Sequence, residues 1–152
     1  MDDGRFQLDP PIHLVTGDWG CWRCGESMTV AAILCENVGS SDVGPYILTN
    51  TVELPTTVIA FIQKRCPTYR LKYSKTVGRR YFANNCPKCG MISGDFYLHS
   101  EPGGPFFPTD QEEASALTIE TITVDKKYFA RTGCGYGTAE LILQFAKRFP
   151  PY

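Results

Sequence analysis

Two segments of this chain carry the same short pattern: Cys21-Trp22-Arg23-Cys24-Gly25 and Cys86-Pro87-Lys88-Cys89-Gly90. Two residues between cysteines let both thiolates reach one ion. The glycine after the second cysteine relieves a left-handed turn that aims backbone N–H groups at the sulfurs. Four thiolates suit a tetrahedral ion, zinc above all, and a complete set leaves no position open for substrate. The expected metal ligands are therefore Cys21, Cys24, Cys86 and Cys89, around one structural zinc ion (Zn2+). A single such pair could be a redox dithiol, but no thioredoxin-like βαβ pattern surrounds the second one. A structural metal can contribute roughly 10 kcal/mol or more to folding.

Three cysteines remain. Cys35 ends an apolar run and Cys66 ends a helical pattern, so both read as small buried apolar groups. Cys134 lies in Gly133-Cys134-Gly135-Tyr136-Gly137-Thr138. This stretch is neither a P-loop nor a dinucleotide fingerprint, and it reads as a tight loop with Thr138 capping the next helix. As a nucleophile, Cys134 has no visible base. Asp95 and His99 would share one helix face at a spacing of four, where a carboxylate could orient an imidazole for general base work. An enzyme built on Asp95 and His99, or on Cys134, is thus one alternative.

Charge is unevenly distributed. Lys64, Arg65, Arg70, Lys72, Lys75, Arg79 and Arg80 form an acid-free run, whereas the chain between Lys88 and Lys126 holds seven acids and no Lys or Arg. The basic run also carries Tyr69, Tyr73, Tyr81 and Phe82. Cations interleaved with aromatic rings can hold single-stranded nucleic acid by phosphate contact and base stacking, or dock an acidic protein surface. They can equally be a solvated face with Leu71, Tyr73 and Tyr81 turned inward, or be covered by the acidic 101–125 segment. The stiff stretch Glu101 to Pro108 places Phe106 and Phe107 either over the metal site or in a partner-binding loop. Candidate partner-binding residues are Arg70, Lys72, Tyr73, Lys75, Arg79, Arg80, Phe106 and Phe107.

The CWRCG, YFANNCPKCG and GDFYLHSEPGGPFFP segments together resemble a group of small bacterial four-cysteine zinc-ribbon-like proteins of similar length. The resemblance runs from about Cys21 to Phe145. It implies a bacterial, cytosolic, zinc-binding protein and supplies no catalytic residues. Bacterial proteins of this size are often immunity proteins that block a toxin, or small accessory factors.

Several elements must position these groups. His13–Val15 reads as a short strand after an extended arm over 1–11. Ser27–Leu34 reads as a strand leaving the first cysteine pair, with a polar loop over 36–44. Pro55–Arg65 is helical, with Val58, Phe61, Ile62 and Arg65 on one stripe and Pro67 as its stop. Tyr69–Ser74 and Arg79–Asn84 form a hairpin closed at Gly78. Leu117–Val124 is a strand whose apolar phase changes between Ile119 and Ile122, which predicts a bulge near Glu120. Thr138–Arg148 is a second helix, burying Leu141, Ile142, Phe145 and Ala146, and Pro150 and Pro151 end it.

The bounds agree. A chain of 152 residues, 43% hydrophobic and 20% charged, is one globular domain rather than a disordered chain. No apolar run approaches a membrane span, and the N-terminus has no secretory signal pattern. Seven cysteines, an odd number, argue against a closed disulfide set and for a reducing, cytoplasmic setting. The expectation is an α+β domain: a small antiparallel sheet with a zinc-ribbon core and two packed helices. The leading function is a non-enzymatic, zinc-stabilised protein that docks a macromolecular partner, a toxin in the immunity-protein version. The alternatives are a nucleic-acid-binding zinc ribbon and the enzyme.

Overall fold

The computed structural model describes residues 4–38, 44–100, 102–122, 128–135 and 138–149, with the side chains of Arg5, Val38, Phe96, Tyr97 and Cys134 left aside. The chain is α+β, with mostly antiparallel strands and four helices among the described residues. Its centre is β1 (Gly4–Gly20), 17 residues long. The expected arm is therefore no free arm. From Gly4 to Leu8 it pairs with β8 (Tyr128–Gly135), and farther along β1 pairs with β2 (Ser27–Val38) and β7 (Thr118–Ile122). β3 (Tyr46–Glu53), which the sequence did not suggest, joins β2 to β8. The six-stranded order is β2-β3-β8-β1-β7-β9, where β9 (Lys147–Arg148) pairs with β7 in parallel, the one parallel pairing among the described residues.

This sheet is covered on both faces, which explains its apolar phases. Along β2, Ala31, Ile33 and Cys35 enter one core with Leu8, Ile12, Leu14 and Ile122. Val30, Ala32 and Leu34 enter the other, with Val15, Ile119 and Leu117. Successive strand residues face opposite ways, so a strand buried on both sides reads as a continuous apolar run. The same geometry removes the bulge expected near Glu120. Ile119 and Ile122 point to opposite faces, both apolar, and β7 keeps an unbroken register with β1 from Thr118 to Ile122.

The first core is closed by α1 (Thr56–Arg65), through Val58 and Ile62, and by Tyr69 and Phe82, whose rings stack 5.9 Å apart. Phe61 is half-buried. Arg65 lies outside the core: its guanidinium sits 3.5 Å over the Phe61 ring and donates from Nε and an Nη to both oxygens of Glu120, at 2.6 Å each. One cation of the basic run is thus covered by the acidic segment.

The second core is closed by α2 (Asp95–Ser100), through Leu98, by Phe106, and by α4 (Ala139–Phe145). The last helix is shorter than expected because its chain turns at Ala146 into β9. Ala139, Ile142 and Ala146 are buried, whereas Leu141 and Phe145 are only half so. Thr138 stands at the N-cap but does not cap; its hydroxyl donates to the Phe106 carbonyl at 3.0 Å. The capped helix is instead α3 (Gln111–Ser115), where Asp110 accepts from Glu113 N at 2.8 Å. Residues 1–3, 39–43, 101, 123–127, 136–137 and 150–152 lie outside the described residues, and with them parts of the expected arm, loops, strand end and terminal prolines.

The hairpin is as expected: β4 (Tyr69–Ser74) pairs with β5 (Arg79–Asn85), and Gly78 takes φ 81°. With β6 (Ile92–Ser93) it forms a second, three-stranded sheet. Asn84 joins the two sheets. It is fully buried, accepts from Ala31 N at 2.8 Å and donates to Ala31 O at 3.0 Å. The side chain thus does what a neighbouring strand would do for the part of β2 that β3 does not reach. Cys66, buried as expected, continues this edge by donating its thiol to Thr29 O at 3.5 Å. Asn84→Ala should orphan a buried N–H and a buried carbonyl and cost about 2–5 kcal/mol. Urea unfolding of the metal-loaded protein should show this as a lowered midpoint, with Asn84→Asp recovering only the bond from Ala31 N.

Candidate metal centre and the surface beside it

Each cysteine pair forms the tip of a hairpin. The first lies between β1 and β2, where Gly20 pairs with Ser27; the second lies between β5 and β6, where Asn85 pairs with Ile92. The expected layout put both in one small sheet, but they cap hairpins of different sheets. Their backbones match bond for bond. Gly25 N donates to Cys21 O at 2.9 Å and Cys21 N to Glu26 O at 2.9 Å. Gly90 N donates to Cys86 O at 3.0 Å and Cys86 N to Met91 O at 2.8 Å. Gly25 and Gly90 both take φ 78°, the left-handed conformation that glycine adopts without strain.

The two tips meet. The Sγ atoms of Cys21, Cys24, Cys86 and Cys89 all lie within 4.8 Å of one another. The closest contacts cross between the knuckles, Cys21 to Cys89 and Cys24 to Cys86, at 3.6 Å each. A tetrahedral ion with metal–sulfur bonds of about 2.3 Å spaces its ligands about 3.8 Å apart. The four thiols therefore fit a single metal ion, and all four cysteines singled out by sequence spacing are in the set. The backbone prepares two of them as ligands. The Cys24 N–H first, then burial and the Arg23 N–H acting in opposite directions, leave the Cys21 thiol lowered to about 6. The Cys89 and Lys88 N–H groups lower Cys86 in the matching way, and Lys88 N approaches Cys86 Sγ at 3.4 Å. At Cys24 the Glu26 N–H also favours the thiolate, but desolvation and the three neighbouring thiols outweigh it and hold that group up at about 11. Cys21 and Cys86 are buried in the second core, whereas Cys24 and Cys89 face outward.

Further contacts lock the tips together. The Trp22 indole N–H donates to Ile92 O at 2.8 Å, and an Arg23 Nη approaches Met91 Sδ at 3.6 Å. Lys72 reaches from the hairpin to the Gly90 carbonyl. Four thiolates around a divalent ion leave a formal charge of −2; among the nearby cations, Lys72 bonds the second knuckle's Gly90 carbonyl and Lys88 pairs with Glu26 at 3.9 Å.

Beside the centre, Trp22, Leu71, Tyr73 and Val77 are the exposed large apolar groups of the hairpin and first knuckle, at 56%, 45%, 53% and 40%. Arg70, Lys72, Lys75 and Arg80 are exposed and Arg79 partly so. Leu71 and Tyr73 face outward, whereas Tyr69, Tyr81 and Phe82 are buried. Phe106, placed by its sequence in a candidate partner-binding turn, is 0% exposed and packs in the second core with Cys21 and Cys86; Phe107 is half-buried. The turn therefore packs toward the metal site. Trp22 was not singled out by sequence. The signal was available: in a knuckle both sulfurs point inward, so the residues between them point out.

Asp95 and His99 share a face of α2 as expected, both buried, with Nε2 and Oδ1 3.9 Å apart. Burial raises Asp95, with His99 and the N–H of Asn50 opposing, and burial lowers His99 against the pull of Asp95. His99 packs against Phe106 at 5.0 Å between ring centres, and its Nδ1 has no hydrogen-bond partner among the described residues. The side chain of Cys134 lies outside the described residues. The other histidine forms a cross-strand ladder that no local motif announces: His13 Nδ1 to Thr121 Oγ1 at 3.1 Å and His13 Nε2 to Glu36 Oε2 at 2.6 Å.

No protein-family model matches the chain, and neither a curated protein nor a solved structure matches it. No helix among the described residues is long and apolar enough to cross a membrane.

Two outcomes follow. Cys86→Ser should lose bound metal, and chelation of the native protein should lower its thermal midpoint, read by elemental analysis and calorimetry. Asp95 has its folded pKa raised, so its ionisation opposes folding once pH rises above the ordinary carboxylate range. Asp95→Asn, whose amide oxygen can still accept from Asn50 N, should therefore raise the thermal midpoint at pH 7. That gain should shrink as pH is lowered toward the carboxylate range.

Proposed function

We propose that this chain is a non-enzymatic, zinc-stabilised binding protein that docks an anionic macromolecule through the β4–β5 hairpin and the first knuckle. The reading that fits best is a single-stranded nucleic acid. One observation carries it: the exposed Trp22 and Tyr73 border, with Lys72 and Lys75, one hollow beside the first knuckle, and Arg70 and Arg80 are exposed on the same hairpin. Rings on a rigid surface stack bases in any sequence, and cations that track phosphates supply most of the affinity.

Zinc is the ion we assign to Cys21, Cys24, Cys86 and Cys89. A soft tetrahedral four-thiolate set suits it, and four protein ligands leave no place for a substrate, which supports a structural role. The docking of an acidic protein, including a toxin, uses the same cations and is favoured by the exposed aliphatic Leu71 and Val77, which stack no base. A cytoplasmic setting would keep the thiols reduced and available to the metal.

The test is binding of fluorescent single-stranded RNA and DNA across a salt series. We expect affinity to fall steeply with salt, and charge reversal at Arg70, Lys75 or Arg80 to lessen the log–log slope by about 0.7 per site. Tyr73→Ala should weaken binding by about 1–3 kcal/mol without changing the slope. No retention of any strand at low salt would refute nucleic-acid binding, and capture of a stoichiometric acidic protein in its place would establish the protein-docking form.

A further inference from the structure

A hollow of about 700 Å³ lies beside the first knuckle. Its walls come from three parts of the chain: Trp22 from that knuckle, Met91 and Ile92 from just after the second, and Tyr73 and Val77 from the β4–β5 hairpin. Trp22, Tyr73 and Val77 are exposed, and Met91 and Ile92 are half-buried, so each has surface that a guest can touch. Two contacts hold the knuckle walls against each other. The Trp22 indole N–H donates to Ile92 O at 2.8 Å, and an Arg23 Nη approaches Met91 Sδ at 3.6 Å. A ring bonded through its edge keeps its faces for stacking, and a wall already held in place loses little freedom when a guest enters. Lys72 and Lys75 also line the hollow, and both are exposed. Asp95 is the one acid in the lining among the described residues. It is only 6% exposed, and its Oδ2 accepts from Asn50 N at 2.7 Å.

We infer that this hollow is a binding site for a small planar aromatic anion, its ring against Trp22 and Tyr73 and its anionic group toward Lys75 and Lys72. Apolar and aromatic walls with a few polar groups, enclosing about 300–1,000 Å³, are the usual make-up of a small-molecule site. The two exposed rings favour a flat guest over an aliphatic one, because paired rings gain more than the area they bury. Charge sets the sign. Two exposed ammonium groups against one buried carboxylate favour an anion over an amine. Lys72 spends one donor on the Gly90 carbonyl and has two more to offer. A flat ring beside an anionic group is presented both by a free aromatic acid and by one nucleotide of a strand. The free acid needs only the hollow, whereas a strand also needs Arg70 and Arg80, which lie on the hairpin but outside the lining.

The test titrates the metal-loaded protein with 2-naphthoate, the neutral 2-naphthamide, cyclohexanecarboxylate and the cationic 2-naphthylmethylamine, read by calorimetry and by amide and indole N–H shifts in NMR. 2-Naphthoate should bind roughly fivefold more tightly than 2-naphthamide, with shifts centred on the Trp22 indole and the hairpin. Lys75→Gln should lower that ratio and leave 2-naphthamide binding as it was. Tyr73→Ala should weaken both rings about tenfold. Both side chains are exposed, so neither variant threatens the fold. Cyclohexanecarboxylate should bind far more weakly than 2-naphthoate. Competition with oligouridylate identifies the source of the ring. Displacement of 2-naphthoate by the strand, lost on charge reversal at Arg70 and Arg80, makes a nucleotide of a chain the natural guest; retention of 2-naphthoate under saturating strand makes it a free aromatic acid. Equal binding of 2-naphthoate and 2-naphthamide, tighter binding of the amine, or no ring bound at millimolar concentration would each overturn the site. Strand binding without 2-naphthoate binding would overturn this site alone, and the reverse would overturn the nucleic-acid reading alone.

Discussion

Four thiols drawn within 4.8 Å of one another are the constraint on which this molecule turns. As thiolates they repel, and without a counter-ion no protein would gather them by choice. Two structural features make the gathering work. Each knuckle delivers its sulfurs by an identical hydrogen-bonded turn closed at a left-handed glycine. The knuckles then depend on two sheets being docked at the right height. That docking combines the burial of Tyr69 and Phe82 in the first core with Asn84, whose amide bonds both backbone groups of Ala31, and Cys66, which extends the contact to Thr29. A metal ion and this interface would therefore stabilise each other: losing either loosens the geometry of the other.

The large sheet supplies the platform. Its strands are apolar on both sides because α1 and the hairpin cover one face, and α2, α4 and Phe106 cover the other. Cys21 and Cys86 belong to the second of these cores, so half of the metal site is continuous with the hydrophobic interior. The other half, Cys24 and Cys89, faces outward with Trp22 and the cationic hairpin. A rigid core on one side and a decorated surface on the other is an arrangement suited to recognition, since little conformational entropy remains to be lost when a partner binds.

The least comfortable part of the molecule lies against that surface. Buried Asp95, pushed up by desolvation, accepts from the N–H of Asn50, whose backbone is left-handed and whose buried side-chain oxygen has no hydrogen-bond partner among the described residues. Other regions are mixed: Gly78 closes the hairpin and Asp110 caps its helix, whereas the buried Asn85 Oδ1 and Tyr128 Oη also lack a hydrogen-bond partner among the described residues.

The sequence alone singled out the four cysteines that the fold gathers, because knuckle chemistry is local: two sulfurs with two residues between them and a following glycine specify the turn wherever it sits. It also determined α1, the β4–β5 hairpin and the antiparallel α+β class, each written in short-range periodicity and turn residues. It did not determine what covers each face of a strand. Ile119 and Ile122 looked like a bulge because nothing local says that both faces are buried, and Phe106 stayed open between the metal site and a partner-binding turn because the second core that receives it is assembled from segments far apart in the chain. β3 was missed for the same reason, as were the roles of Asn84, Asn50 and the His13 ladder. Their hydrogen-bond partners lie far along the chain, and only the tertiary structure brings them within reach.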